Sequence, residues 1–252
     1  MSPARVELSV DTVAGAVAAD ALGARRIELC SAGALGGLTP GPGLLAAALA
    51  GCARTEVHVL VRPREGGFGY TGAEVDAMAA DVAHAVAAGA AGVVVGALTR
   101  DGDPDRAAVT ELIAAADGRP VCFHRALDVC RDPRAAVDQL ADWGVHRVLS
   151  SGQAVHAEDG AAALAEMVRV AGGRLAVTVC GGVRADNAAA VLRATGAADV
   201  HAAPRRRVRA VPGPFGVDFG GHAELDVAAA AALIAAVGGT ADEVSAAGCA
   251  TG

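Results

Sequence analysis

The 252-residue chain contains no lysine; all 21 of its basic residues are arginine. A Schiff-base mechanism needs a lysine amine, so the lysine-dependent aldolase route is closed whatever the fold. Basic charge is outnumbered by 28 acidic residues, and the net charge of −7 argues against a nucleic-acid partner. The six cysteines (30, 52, 122, 130, 180 and 249) form no CxxC or CxC pair and read as free thiols in a reducing cytoplasm. The three methionines (1, 78 and 167) show no cluster. No apolar run reaches the roughly 18 residues of a membrane span, since Asp81 and His84 interrupt the best candidate, so no membrane partner is expected. Met1 to Arg5 leads straight into a strand without an apolar leader, and no secretory signal is expected. No GxGxxG turn follows the first strand, and no nucleotide cofactor is indicated.

What is present is a regular alternation. Short β-branched runs begin at about residues 5, 26, 56, 91, 120, 146, 175 and 198, and each is separated from the next by one helical stretch. The strands are Arg5–Val10, Arg26–Cys30, Glu56–Val61, Gly92–Gly96, a fifth opening at Val121, Arg147–Ser151, Leu175–Cys180 and Asp199–Ala202. Helices are predicted from Asp11 or Thr12 to Gly23, up to about Cys52, over Gly72–Ala88, Pro104–Ala116, Pro133–Trp143, Ala157–Ala171 and Asp186–Ala194. Eight βα repeats in about 200 residues predict a single TIM-type (β/α)8 barrel over residues 1–203. Residues 204–252 are read as an extension of the same domain: a long loop carrying Arg205, Arg206, Arg207 and Arg209, Gly/Pro-rich at 212–221, a last helix over 223–236 and a loose tail.

Strand parity sorts inward from outward side chains. In Ile27-Glu28-Leu29-Cys30 the aliphatics face the helices, so Glu28 and Cys30 point into the barrel. The same count turns Glu7 and Ser9, His58 and Arg62, and Cys122 and His124 inward. Charges inside a barrel are costly unless paired, which makes Arg62 or Arg64 the expected partner of Glu28, with His124 able to join. The run His124-Arg125-Ala126-Leu127-Asp128 ends the fifth strand in charge, at the face where barrels place their sites. In an acid–base reading Glu28 and His124 are base and acid, and Asp128 orients His124 or Arg125. Gly181-Gly182, followed by a helix opening near Asn187, sits where such barrels bind phosphate; Ser151, Gly152 and His201 complete the rim. Cys30 is the best single thiol for a metal.

These same residues resemble the CutC family. The resemblance rests on Arg26-Ile27-Glu28-Leu29-Cys30, Gly36-Gly37-Leu38-Thr39-Pro40, Val61-Arg62-Pro63-Arg64 with Gly67-Phe68 and Tyr70, and Gly96-Ala97-Leu98-Thr99 with Asp101-Gly102. It continues through Phe123-His124-Arg125-Ala126-Leu127-Asp128, Ser151-Gly152 and Gly181-Gly182-Val183 with Asn187. It implies a TIM barrel, a cytoplasmic copper homeostasis protein binding copper(I), and assembly into a homo-oligomer. The family's first strand usually carries a cysteine at the position of Ser9, and that cysteine with the one at Cys30 is the implied copper pair. Cys180 stands where the family tends to have Met-Pro, and Ala203 where it usually has serine. The competing reading is an enzyme acting by acid–base chemistry on an anionic small molecule, phosphorylated or not, held by Arg62, Arg64 and Gly181-Gly182.

Overall fold

The computed structural model describes residues 4–209, 215–216 and 220–238. Eight parallel strands close into one barrel: β1 (Arg5–Val10), β2 (Arg26–Leu29), β3 (Glu56–Leu60), β4 (Gly92–Val95), β5 (Val121–Phe123), β6 (Arg147–Ser150), β7 (Ala176–Val179) and β8 (Asp199–Ala202). Helices α1 (Val13–Ala21), α2 (Pro42–Gly51), α3 (Gly72–Ala87), α4 (Arg106–Ala115), α5 (Pro133–Asp142), α6 (Ala161–Ala171) and α7 (Ala188–Thr195) return the chain between strands. Caps written in the sequence set their starts. Thr12, Asp105 and Asp132 accept backbone N–H bonds one turn ahead, and Thr71 and Glu74 cap α3 reciprocally.

Alternate residues of each strand divide the interior into two cores. Outward apolar side chains such as Leu8, Ile27, Val59 and Phe123 pack beneath the helices, while Cys30, Leu60, Val94, Cys122, Leu149 and Cys180 form a separate plug inside the barrel. The register then places the polar groups. Glu7 lies beside Arg26 on β2 and beside His201 across the β1–β8 seam, and Ser9 lies beside Glu28.

Several expectations shift. Strand β5 stops at Phe123, because His124 accepts the Ala126 N–H through Nδ1 and starts a 3-10 turn over Arg125–Val129. Helix α6 begins at Ala161 rather than 157, since the Ala157 amide is drawn to the Gly181 carbonyl. The arginine-rich loop is a strand: β9 (Arg205–Val208) pairs antiparallel with β10 (His222–Leu225), with Glu224 opposite Arg206 and bridged to it. The last helix, α8 (Val227–Ala236), therefore starts four residues later than predicted, behind an Asp226 cap, and packs against α1 and α7. The loop expected at 212–221 lies mostly, and the tail from 239 wholly, outside the described residues.

Candidate active site

Glu7 is completely buried at the centre of an ion cluster inside the barrel. Its Oε2 lies 2.6 Å from Arg147 and 3.0 Å from Arg26, and its Oε1 lies 2.7 Å from Nδ1 of His201. Burial alone would favour the neutral acid; Arg147, the hydrogen bond and charge of His201, and Arg26 outweigh it and hold Glu7 well below the ordinary carboxylate range. Glu28 is the next carboxylate along the same wall, and one ligand atom each from Glu7, Glu28 and His201 lie within 4.8 Å of one another. Glu28 titrates above its ordinary value, through burial first and the negative Glu7 beside it, against the pull of His201. For His201 burial opposes the charged ring, but Glu28 and the bonded Glu7 prevail and raise its pKa above 6.5. A carboxyl raised and an imidazole raised, side by side, form a candidate acid–base pair.

Above this pair a pocket of about 180 Å³ opens at the carboxyl end of the strands. Glu28, Cys30, Arg62, His124, Arg125, His201 and Arg205 line it. Arg62 is fixed by the carbonyls of Leu35 and Gly37 at 3.0 and 3.1 Å and of Gly66 at 2.8 Å, and its guanidinium lies 5.2 Å from the Phe68 ring centre. His124 packs against the same ring at a tilt of 51°, 4.8 Å between centroids. Burial and the charge of Arg62 push its pKa down to about 3, so it is a neutral group whose Nε2 has no partner among the described residues. Gly96 is glycine because a Cβ there would run into the His124 ring.

The remaining sequence-chosen residues separate by role. Neither Arg62 nor Arg64 pairs with Glu28: loop carbonyls occupy Arg62, and Arg64 reaches outward to Glu74 at 2.5 Å, away from the pocket. The cations facing Glu28 come from β6 and β8 instead. Asp128 orients Arg125, at 2.7 Å, and not His124; it also accepts hydrogen bonds from Ser150 Oγ and from the Ser151 N–H and Oγ, tying the β6 loop down. Gly152 belongs to that loop, where any Cβ would strike Gly160. Gly181 and Gly182 line a second, larger cavity with Arg125 and His201, and Asn187 steadies their turn by donating to the Gly182 carbonyl at 2.9 Å. Sequence reasoning missed Arg205, which folds from β9 over Gly33 into the pocket wall and meets Asp11 at 2.6 Å. It also missed the Glu7–His201 pairing, whose partners are 194 residues apart.

A copper(I) ion prefers thiolate or thioether ligands. The Cys30 Sγ lies 3.8 Å from Ser9 Oγ and 3.6 Å from the Val10 carbonyl, and burial together with Glu28 pushes its thiol up to about 12. Glu7, Glu28 and His201 are the candidate metal-binding trio among the described residues, but they are harder donors, and Glu7 is already neutralised by two arginines. Neither set fits copper(I) as a resident ion.

The chain is a TIM-type (β/α)8 barrel with a titratable pair beneath a pocket at the carboxyl end of its strands. The sequence profile of the CutC family matches residues 4–205, and the chain belongs to that family. A family protein CutC from Chromobacterium violaceum is 43% identical over 203 residues, covering 81% of this chain and 82% of that protein. A family protein CutC from Xanthomonas campestris pv. campestris (strain 8004) is 40% identical over 233 residues, 91% of this chain and 97% of its own length, a match too long to end at the eighth strand. Among solved structures, the CutC of Streptococcus agalactiae superposes with a TM-score of 0.76 at 30% identity, over 79% of this chain and 97% of that one.

Proposed function

We propose that this chain is an acid–base catalyst acting on an anionic small molecule at the carboxyl mouth of its barrel. The observation that carries the reading is the buried Glu7–Glu28–His201 cluster beneath the pocket. Glu28, as carboxylate, takes a proton from the substrate. His201, as imidazolium, gives one to the oxygen on which charge develops; as the product forms, Glu28 returns its proton to the substrate and His201 takes one back from that oxygen, so the pair ends as it began. Glu7 is a positioning residue: it accepts from Nδ1 of His201 and leaves Nε2 to exchange protons. Arg125 and Arg205 supply positive charge at the wall for an anionic substrate.

A second reading follows from one relative: the CutC of Streptococcus agalactiae is named, provisionally, a copper homeostasis protein. In that reading copper(I) is cargo, taken up in the cytoplasm by Cys30 with help from another interior group and handled by a homo-oligomer. Cys30 does line the pocket, which favours this over any surface thiol.

One pair of measurements separates them. Small carbonyl compounds bearing a carboxylate or phosphate are incubated with the protein in D2O and followed by NMR, beside a copper(I) competition titration under reducing conditions. Saturable deuterium incorporation that falls at least about 100-fold in Glu28→Gln and in His201→Asn, with Cys30→Ser unaffected, is the expected result. No exchange with any compound, together with stoichiometric copper(I) binding abolished by Cys30→Ser, would overturn it.

A further inference from the structure

The pocket that holds the acid–base pair is not the largest cavity at this end of the barrel. A second space of about 670 Å³ lies over β7 and β8, between the Gly181-Gly182 turn and α8. The two are continuous in their walls, since Arg125, His201, Ala203 and Arg205 line both. We propose that the larger cavity is a phosphate-binding subsite, which holds the phosphate of a phosphomonoester while the rest of the molecule reaches across His201 to Glu28. The chemistry at the far end rests on the acid–base reading; the subsite itself does not.

Three observations point to phosphate. The first is the donor set. Gly181 and Gly182 both adopt positive φ, 91° and 71°, a conformation that side chains other than glycine rarely take. In this turn the carbonyls are consumed: Gly181 accepts from Ala157 at 2.9 Å, and Gly182 accepts from Asn187 at 2.9 Å and Arg184 at 3.1 Å. The N–H groups of Gly181, Gly182 and Val183 have no acceptor among the described residues, and all three residues line the cavity. Successive unpaired backbone amides form an anion-binding concavity.

The second is charge. Arg125, Arg184 and Arg205 line the cavity, against the carboxylates of Asp186 and Asp226. Each guanidinium is paired, Arg125 with Asp128 and Arg184 with Asp186 at 2.7 Å and Arg205 with Asp11 at 2.6 Å, and brings N–H donors beyond its pair, while Asp226 accepts the Ala229 N–H at 3.0 Å. Arg125 reaches Ser151 through Nη2 and Asp128 through Nε, which holds its charge at the junction between the two spaces. A dianion seated there has guanidinium groups and backbone amides in the same wall.

The third is location. Barrels of this architecture bind phosphate with the loops after their seventh and eighth strands and the start of an added helix. Here α8, reached through the β9–β10 hairpin, closes the cavity with Ala229, Ala232 and Leu233. Ala229 and Ala232 are exposed and carry no polar side chain, so the carboxylate this helix brings to the wall is its cap, Asp226.

The test uses inorganic phosphate and the full chain, in an isothermal titration. The wild type should show saturable binding at one site. Ala229→Glu places a carboxylate in the cavity from an exposed helix position where glutamate is compatible with the Asp226 cap, so the fold should survive; phosphate affinity should drop roughly tenfold or more. Ala229→Gln adds the same bulk without charge and should retain binding, as should Glu28→Gln. Absence of saturable binding by the wild type, or undiminished binding by Ala229→Glu, overturns the subsite. Tighter binding in Glu28→Gln also overturns it, because relief from that carboxylate's repulsion would put the anion in the acid–base pocket. Intact phosphate binding by a protein that turns over none of the carbonyl compounds would support the subsite and count against the acid–base reading alone.

Discussion

Glu28 and His201 are brought towards neutrality by different balances of the same surroundings. Burial raises the carboxyl, and the adjacent Glu7 adds to it; the imidazole is raised because Glu28 and Glu7 outweigh its burial. The rate of the reaction should therefore be bell-shaped in pH. It rises as Glu28 loses its proton above the ordinary 4.5 and falls as His201 loses its own above the ordinary 6.5. Glu7→Gln removes the negative partner from Nδ1, so the alkaline limb should move to lower pH while Glu7→Asp restores part of the shift. A merely structural role for Glu7 would lower the rate at every pH without moving that limb. At this scale the sequence was half legible. Period-two parity turns Glu7, Glu28 and Cys30 inward, and no tertiary knowledge is needed for that. It does not say which inward groups meet. The Glu7–His201 contact depends on how the sheet closes, between strands at opposite ends of the chain, and local pattern carries no information about it. His124 reads as the acid because it ends a strand in charge, but burial and Arg62 keep its ring neutral, with Nδ1 taken by the Ala126 N–H.

At the scale of elements, the barrel's strands and helices follow from apolar period and caps, and the errors fall where one segment answers to another far away. The arginine run 205–208 has too much charge to read as a strand, yet it pairs because Glu224 and Leu225 face it across a hairpin. The start of α6 moves because Gly160 packs against the Ser151 carbonyl and Gly152, contacts between loops that only the fold creates. The same substitution should then have opposite signs at two helix starts. Gly160→Ala forces a Cβ into backbone atoms and should destabilise by about 1–3 kcal/mol. Gly43→Ala in α2 meets nothing within 4 Å and should stabilise by about 0.5–1 kcal/mol through helix propensity. Thermal melts of the two variants check this, and equal shifts would contradict the packing argument.

For the whole molecule, the interior ties stability to pH through histidines that the barrel keeps neutral. Burial, with Arg147 next, drives His58 down to about 3, and burial with Arg62 does the same to His124. Between about pH 6.5 and 3 the unfolded chain binds these two protons and the folded chain does not, so stability falls as pH falls through that window. Each such histidine should cost about 1.4 kcal/mol per pH unit below 6.5. Glu7 works in the same direction at lower pH, because its depressed pKa contributes stability that is lost as it protonates. His201 and Glu28 work the other way: the raised His201 contributes most below 6.5, and Glu28 is relieved of burying a charge as it protonates above 4.5. Below pH 6.5 His201 is protonated folded and unfolded alike, and Glu28 takes up at most one proton in the folded barrel against the two that the histidines bind on unfolding, so the net slope should favour unfolding in mild acid. Denaturant titrations at pH 7, 6 and 5 should show a falling unfolding free energy. His124→Asn keeps an acceptor for the Ala126 amide without a titrating ring, and should flatten the slope by about one proton's worth. A slope unchanged in that variant would mean that His124 is protonated in the folded barrel, and with it the positive charge at the pocket wall would have to be counted again.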